Sequence, residues 1–296
     1  MCIYNSNGSA GWLDGSPARA GTGIDIVLGD IRDPEHVRRT VAGADVVLHL
    51  AALIAIPHSY VAPRSFVETN VIGTLNVLEA VREEGTPRLV NTSTSEVYGT
   101  PETVPITESH RLRGQSPYSA SKIGADKLCE SYALSFGTPV TVLRPFNTFG
   151  PRQSMRAVIP TILAQLIAGV REVRLGSIVP RRDFTFVSDT CDGFVRAAVA
   201  DVEPGTVIQL GTGRSVSIGE IFEMCAAVVG VDARVVTDEQ RIRPEGSEVE
   251  ILESDPSLAR DVLGWEARVS LEDGLEATAK WLESRVDLQH AREYHR

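Results

Sequence analysis

Short apolar runs rich in β-branched residues alternate with stretches of helical period through most of this chain, and that alternation limits the possible fold more than any other feature. The runs are Ile24–Leu28, Asp45–Leu50, Leu89–Thr94, Val140–Arg144 and Thr206–Leu210, with helical patterns at Asp33–Val41, Val71–Glu84 and Tyr118–Phe136 between the first four. A strand with no polar alternation must be covered on both faces. Such strands separated by helices predict βαβ units, hence an α/β protein built on a doubly wound parallel sheet. Ligands of these sheets sit beyond the carboxyl ends of the strands.

After Pro145 the pattern changes to loops and mixed elements, with helices expected at Ile159–Ala168, Ile218–Val229 and Leu271–Glu283. This predicts a smaller mixed α/β substrate domain, made of residues 148–183 and 211–296. Residues 1–147 and about 184–210 form the sheet domain. Sheets that bind dinucleotides open with a strand, a Gly-rich turn and a helix whose N-terminus holds the pyrophosphate. Nothing of that form precedes Ile24: Gly21-Thr-Gly23 comes before a strand rather than after one. Gly211-Thr-Gly213 does follow a strand, but the third glycine position is Val216, so an ordinary loop is expected there, with Ser217 capping the next helix. The polar end, Asp287–Arg296, is expected to fray.

At 296 residues, with 43% hydrophobic and 23% charged residues, the composition is that of an ordinary globular protein. A net charge of −10 with no basic stripe argues against nucleic acid as a partner. No apolar run approaches the ~20 residues that span a bilayer, so no membrane role is expected. Cys2, Cys129, Cys191 and Cys225 are scattered, with no CxxC and no histidine at ligand spacing. They read as unpaired thiols in a reducing compartment, the cytoplasm, and no metal site is expected. His49 is expected to pack beside its strand rather than bind a ligand.

Tyr118 and Lys122 stand four residues apart inside a helical pattern, which puts both side chains on one helix face. A phenol titrates near pH ~10, and an ammonium fixed beside it favours the phenolate. The pair therefore predicts a tyrosine able to accept a proton from a hydroxyl that is being oxidised.

These residues belong to an ordered set. It comprises Gly29-Asp30-Ile31-Arg-Asp33, His49-Leu-Ala-Ala52, Thr69-Asn70-Val-Ile-Gly-Thr74, Thr92-Ser-Thr94-Ser95-Glu96-Val-Tyr-Gly99, and the Tyr118/Lys122 pair. It continues with Arg144-Pro-Phe-Asn147-Thr-Phe-Gly-Pro-Arg152, Arg181-Arg182-Asp183-Phe-Thr-Phe-Val187 and Leu263-Gly-Trp265. With it the chain resembles the extended short-chain dehydrogenase/reductases, specifically the NAD-dependent epimerase/dehydratase family that acts on nucleotide sugars. Ser-Thr-Ser-Glu-Val-Tyr-Gly followed by Pro-Phe-Asn-Thr-Phe-Gly-Pro-Arg-Gln looks most like the 4,6-dehydratases of the UDP-N-acetylglucosamine type. In such relatives a Tyr-Asn-Ser…Gly-Trp-Leu-Asp stretch follows the second strand, whereas here Tyr4-Asn-Ser6…Gly11-Trp-Leu-Asp14 opens the chain. The resemblance thus implies a Rossmann-like sheet without its first strand, short by roughly 35–40 residues on the ~30-residue βαβ scale.

The resemblance also implies roles. Tyr118 would take the proton from the sugar's 4-hydroxyl, Lys122 would hold the nicotinamide ribose, and Thr94 would hydrogen-bond the reacting oxygen. Glu96 would remove the proton next to the new ketone, and Ser95 stands where one branch of the family has an aspartic acid. Asp30 and Ile31 would contact the adenine of NAD, with NADP an alternative, and Leu50, Ala51, Ala52, Asn70 and Pro145 would line the cofactor. Asn147, Arg182 and Arg243 would meet the diphosphate or nucleotide of a nucleotide-sugar substrate, and Arg181 is read as a solvated neighbour. Glu96 favours dehydration over simple 4-epimerisation, Ser95 leaves UDP-glucuronate decarboxylation open, and the absent phosphate turn leaves open a non-catalytic nucleotide-sugar-binding protein. Helices Phe66–Glu84 and Tyr118–Phe136 are candidates for a homodimer interface.

Overall fold

The computed structural model describes residues 1, 10–13 and 23–285. Tyr4–Ser6, Asp14, Gly21, Cys2 and the Asp287–Arg296 tail lie outside them. In chain order the elements are α1 (Pro34–Val41), β1 (Val47–His49), α2 (Ile56–Val61), α3 (Pro63–Phe66), α4 (Gly73–Glu84), β2 (Leu89–Thr92), α5 (Pro117–Phe136), β3 (Val140–Pro145) and β4 (Asn147–Phe149). There follow α6 (Val158–Ile167), β5 (Glu172–Leu175), β6 (Arg181–Phe186), α7 (Val187–Val199), β7 (Val207–Leu210), β8 (Ser215–Ser217) and α8 (Ile218–Val229). The last are β9 (Arg234–Thr237), β10 (Ile251–Leu252), α9 (Ser257–Leu263) and α10 (Leu271–Glu283).

The parallel sheet runs β1-β2-β3-β7, in a register that places Leu48 beside Val90, Val90 beside Thr141 and Val142 beside Val207. Successive side chains of a strand point to opposite faces. Leu89, Val140 and Val142 accordingly pack with Val77, Leu78 and Val81 of α4 and Cys129 of α5. Val90, Leu143, Ile208 and Leu210 meet Phe194 and Ala197 of α7, Ala259 and Leu263 of α9, and Trp265. Both faces of the central strands are dry, as their apolar sequences require.

The segment Ile24–Leu28 departs from expectation. Only Leu28 forms a bridge, and Ile24 is 55% exposed. A strand needs a ladder partner for its backbone. Here β1 is the edge of the described sheet, its outer face exposing Val46, Leu48 and Leu50.

Immediately after β3 the chain crosses at Phe146 into β4, which pairs in parallel with β6. β6 also pairs with β10 and, antiparallel, with β8. Phe149, Phe184 and the apolar faces of α6, α8 and α10 form a separate core. The loop Gly211–Gly213 is a structural joint rather than a phosphate cradle. Buried Asp183 of β6 accepts hydrogen bonds from Thr212 N at 2.9 Å, Gly213 N at 3.0 Å and Ser254 Oγ at 2.6 Å. A Cβ on Gly211 would lie 2.9 Å from the Asp183 carboxylate, so the close approach needs glycine. Ser217 caps α8 as expected, in a reciprocal box with Glu220.

Candidate active site

The site begins with how α5 starts. Ser116 accepts from Ser119 N at 3.1 Å, Ser119 Oγ accepts from Ser116 N at 3.0 Å, and Pro117 fills the first helical position. This fixes Tyr118 one residue into the helix, against Phe66 at 6.2 Å between ring centroids. Burial pushes the Tyr118 phenol above its ordinary range; a hydrogen bond with Thr94 opposes this, and the negative charges of Glu96 and Asp126 add to it. Lys122 is buried as well, and its ammonium donates to the carbonyl oxygen of Thr92. Burial lowers the Lys122 pKa and the Asp126 carboxylate opposes that shift.

The expected lowering of the tyrosine by the lysine is therefore corrected: the ammonium is turned to the backbone of β2, and desolvation outweighs every favourable contact of the phenol. His49 bonds Thr74 Oγ1 at 3.1 Å. Burial first, and the nearby Lys122 charge second, push its pKa down to about 3, so it is a neutral packing residue.

β2 stops at Thr92, two residues before the expected Thr94. Thr94 instead caps a 3-10 turn, Ser95–Tyr98, accepting from Glu96 N at 3.2 Å. Its hydroxyl thus meets both the turn and the Tyr118 phenol. Ser95 and Glu96 are buried at this turn. Glu96 Oε1 stands 3.9 Å from Arg243 Nη1. Glu248 Oε1 lies between the two expected arginines, 3.3 Å from Arg182 Nη2 and 3.5 Å from Arg243 Nη1. Arg182 also donates to the Val249 carbonyl at 2.8 Å. Asn147 keeps a buried Oδ1 with no partner. Arg181 turns away to Glu220 at 2.9 Å, as a solvated neighbour.

The residues expected around the cofactor divide. Leu50, 59% exposed, and the exposed Ala51 stand at the carboxyl end of β1, followed by half-buried Ala52; Pro145 ends β3. Asp30 forms a two-pronged ion pair with Arg32, whose guanidinium holds its carboxyl below the usual range. Both border a surface cleft of about 410 Å³ with Asp33, Glu68 and Ile72. Ile31 is a core residue packed on Gly73. Asn70 is fully buried, accepts from Leu53 N at 2.8 Å, and donates to Leu53 O and Ser121 Oγ at 2.9 Å each, so it fixes the loop after β1.

The exposed apolar end of β1, the buried Tyr118 and Lys122 and the cleft at Asp30 fit the nicotinamide and adenosine ends of a dinucleotide. Among the described residues no Gly-rich turn leads from a strand into a helix to hold its pyrophosphate. Nor is there any group of histidine, cysteine and carboxylate side chains arranged for a metal.

The residues missed from sequence are Glu248 and the buried set around Asp126. Asp126 Oδ2 accepts from Ser93 Oγ at 2.8 Å and from Arg144 Nη2 at 3.0 Å, and Arg144 Nη1 donates to Tyr98 Oη at 2.9 Å. Asp126 carried a signal, since it lies one helical turn beyond Lys122 on the same face. Glu248 carried none.

Comparison with known proteins agrees with this geometry. The sequence profile of the GDP-mannose 4,6 dehydratase family matches residues 4–278. A dTDP-glucose 4,6-dehydratase of Streptomyces antibioticus is 32% identical over 258 residues, covering 87% of this chain and 76% of that protein. A UDP-glucose 4-epimerase of Streptomyces lividans is 33% identical over 279 residues, covering 88% and 82%. A double mutant of the dTDP-glucose 4,6-dehydratase DesIV from Streptomyces venezuelae, solved with NAD bound, superposes with a TM-score of 0.83 at 29% identity, covering 91% of this chain and 82% of that one. With its doubly wound sheet, its Tyr118/Lys122 helix and a profile match spanning nearly all the described residues, the chain belongs to the GDP-mannose 4,6 dehydratase family of extended short-chain dehydrogenase/reductases.

Proposed function

We propose that this protein is an NAD-dependent nucleotide-sugar 4,6-dehydratase, converting a hexose nucleotide to its 4-keto-6-deoxy form. The observation that carries the reading is Glu96, a buried carboxylate on the turn that also presents Thr94 to Tyr118. Oxidation needs only the tyrosine, whereas elimination needs a second base.

Asn147, Arg182 and Arg243 hold the diphosphate or nucleotide, the arginine forks supplying positive charge that the acidic protein otherwise lacks. Thr94 hydrogen-bonds the 4-oxygen and Tyr118 takes its proton. A bound NAD would supply the redox chemistry, as acceptor of the hydride from carbon 4 and its donor to carbon 6. With a ketone at position 4 the proton on carbon 5 is acidic, and Glu96 removes it. The 6-hydroxyl leaves as water, taking its proton from Glu96, because the Ser95 hydroxyl is too weak an acid to supply one; after hydride adds at carbon 6, carbon 5 takes a proton from solvent, and the proton gained by Tyr118 returns to solvent. Leu50, Ala51, Ala52, Pro145 and Lys122 line the nicotinamide end, and Asp30 the adenosine end.

Val67, Ile72, Leu134 and Phe136 are exposed on and beside α4 and α5, which supports a homodimer formed through these helices. The free thiols Cys129, Cys191 and Cys225 suit the cytoplasm. Among the described residues no helix is long and apolar enough to cross a membrane.

The test is incubation with NAD and, in turn, UDP-N-acetylglucosamine, dTDP-glucose and UDP-glucuronate, followed by NMR of the products. A 4-keto-6-deoxy sugar is expected. Carbon dioxide released from the glucuronate would replace this reading with decarboxylation, the second reading that Ser95 leaves open, and a 4-epimer retaining its 6-oxygen would replace it with epimerisation.

A further inference from the structure

Lys122 lies one helical turn from Tyr118 on the same face, yet nothing in the proposed reaction explains how its buried ammonium keeps its charge. Desolvation alone drives a buried lysine toward the neutral amine. One turn further along α5 is Asp126, with its side chain 3% exposed. Its Oδ2 is held by Ser93 and by both Nε (3.1 Å) and Nη2 (3.0 Å) of Arg144, while Oδ1 is buried without a hydrogen-bond partner. The Arg144 guanidinium lies 5.0 Å from the centre of the Tyr98 ring and donates to its hydroxyl, which Gln209 Nε2 also approaches at 3.0 Å. Ser93 precedes Thr94, and Tyr98 ends the turn carrying Ser95 and Glu96. One carboxylate therefore reaches both halves of the site.

We propose that Asp126 is the positioning residue of the proton-transfer pair: its buried carboxylate is the counter-charge of Lys122 and, bonded to Ser93 and Arg144, ties the Tyr118/Lys122 helix to the Thr94–Glu96 turn. This deepens the dehydratase reading and rests on it for its meaning in catalysis. The titratable groups facing Lys122 are Asp126 and Cys129 from its own helix and His49 from β1. Those facing Tyr118 are Glu96 and Asp126. His49 is neutral and the Cys129 thiol is pushed far up by burial. Burial raises the Asp126 carboxyl as well, but the Arg144 charge, the Ser93 hydrogen bond and the Lys122 charge oppose that rise, which makes Asp126 the group beside the lysine whose contacts favour its anion.

The test can be read without turnover. The sequence holds only Lys122, Lys127 and Lys280, so protein labelled with carbon-13 at lysine Cε gives a few resolvable signals, and Lys122→Met assigns the relevant one. In Asp126→Asn the Lys122 titration midpoint falls by about one pH unit while Lys127 and Lys280 stay fixed. Asp126→Glu restores it. If Asp126→Asn does not fold, the double variant Asp126→Leu with Arg144→Met, which replaces the buried pair by apolar groups, gives a fall in the same direction but smaller, because the Arg144 cation goes with the anion.

In turnover, removing the anion favours both the phenolate of Tyr118 and the neutral amine of Lys122. Both limbs of the pH–rate profile then move toward lower pH and kcat drops at least about tenfold. A folded variant in which the Lys122 midpoint is unmoved overturns the proposal, whatever its melting temperature. A wild-type chain that converts no nucleotide sugar defeats the dehydratase reading, and the lysine titration still decides the role of Asp126.

Discussion

Tyr118 is a neutral phenol whose burial opposes ionisation, so it must lose its proton against that burial and then take one from the sugar. Tyr118→Phe removes the acceptor while leaving the ring on Phe66. We expect kcat to fall by about 10²- to 10⁴-fold with KM little changed, measured by formation of the 4-keto product. The same arithmetic of desolvation gives His49 a signature in stability. Its folded pKa, about 3, is below its ordinary 6.5, so the unfolded chain binds a proton that the native state refuses. The stabilisation present above pH ~6.5 is lost as pH falls toward ~3, and the melting temperature of His49→Asn falls less steeply across that window than wild type's. These directions were not legible in the sequence. The spacing of Tyr118 and Lys122 reveals a shared helix face, but the ammonium's preference for the Thr92 carbonyl depends on where β2 ends.

Elements came through more clearly than side-chain partners. Helices Ile218–Val229 and Leu271–Glu283 match their expected bounds residue for residue, and Ser217 caps the first as expected. The same pattern at Ile24–Leu28 did not produce a strand, because pairing is decided by neighbours and not by the run itself. Arg182 and Arg243 were legible as cations, yet Glu248 between them sits in irregular backbone without period. At this level two substitutions are informative. Gly73 lets Ile31 lie against α4, and a Cβ there would come within 2.8 Å of Ile31 Cγ2. Gly73→Ala is expected to cost about 1–3 kcal/mol in urea unfolding by overpacking this contact. Ser116→Ala removes the cap that places Tyr118, at about 1 kcal/mol of stability.

Across the whole molecule, a parallel sheet delivers the Tyr118 helix and the Glu96 turn to the carboxyl ends of its strands, and a second sheet brings Arg182 toward the same place through the Asp183 joint. The doubly wound class, the second core and the convergence of Thr94, Glu96, Tyr118, Arg182 and Arg243 were legible from strand–helix alternation and the ordered motifs. The clamp of Asn70 on the Leu53 loop was not legible, because a buried amide that holds a loop looks, in sequence, like one that binds a ligand.

The functional reading turns on whether Glu96 removes a carbon-bound proton. Turnover of a hexose nucleotide in deuterium oxide, followed by NMR of the product, shows it. Wild type should yield a 4-keto-6-deoxy sugar carrying deuterium at carbon 5, and Glu96→Gln should form it at least about 10²-fold more slowly. A product with its original hydrogen at carbon 5 and its 6-oxygen in place, or an undiminished rate in Glu96→Gln, would contradict it.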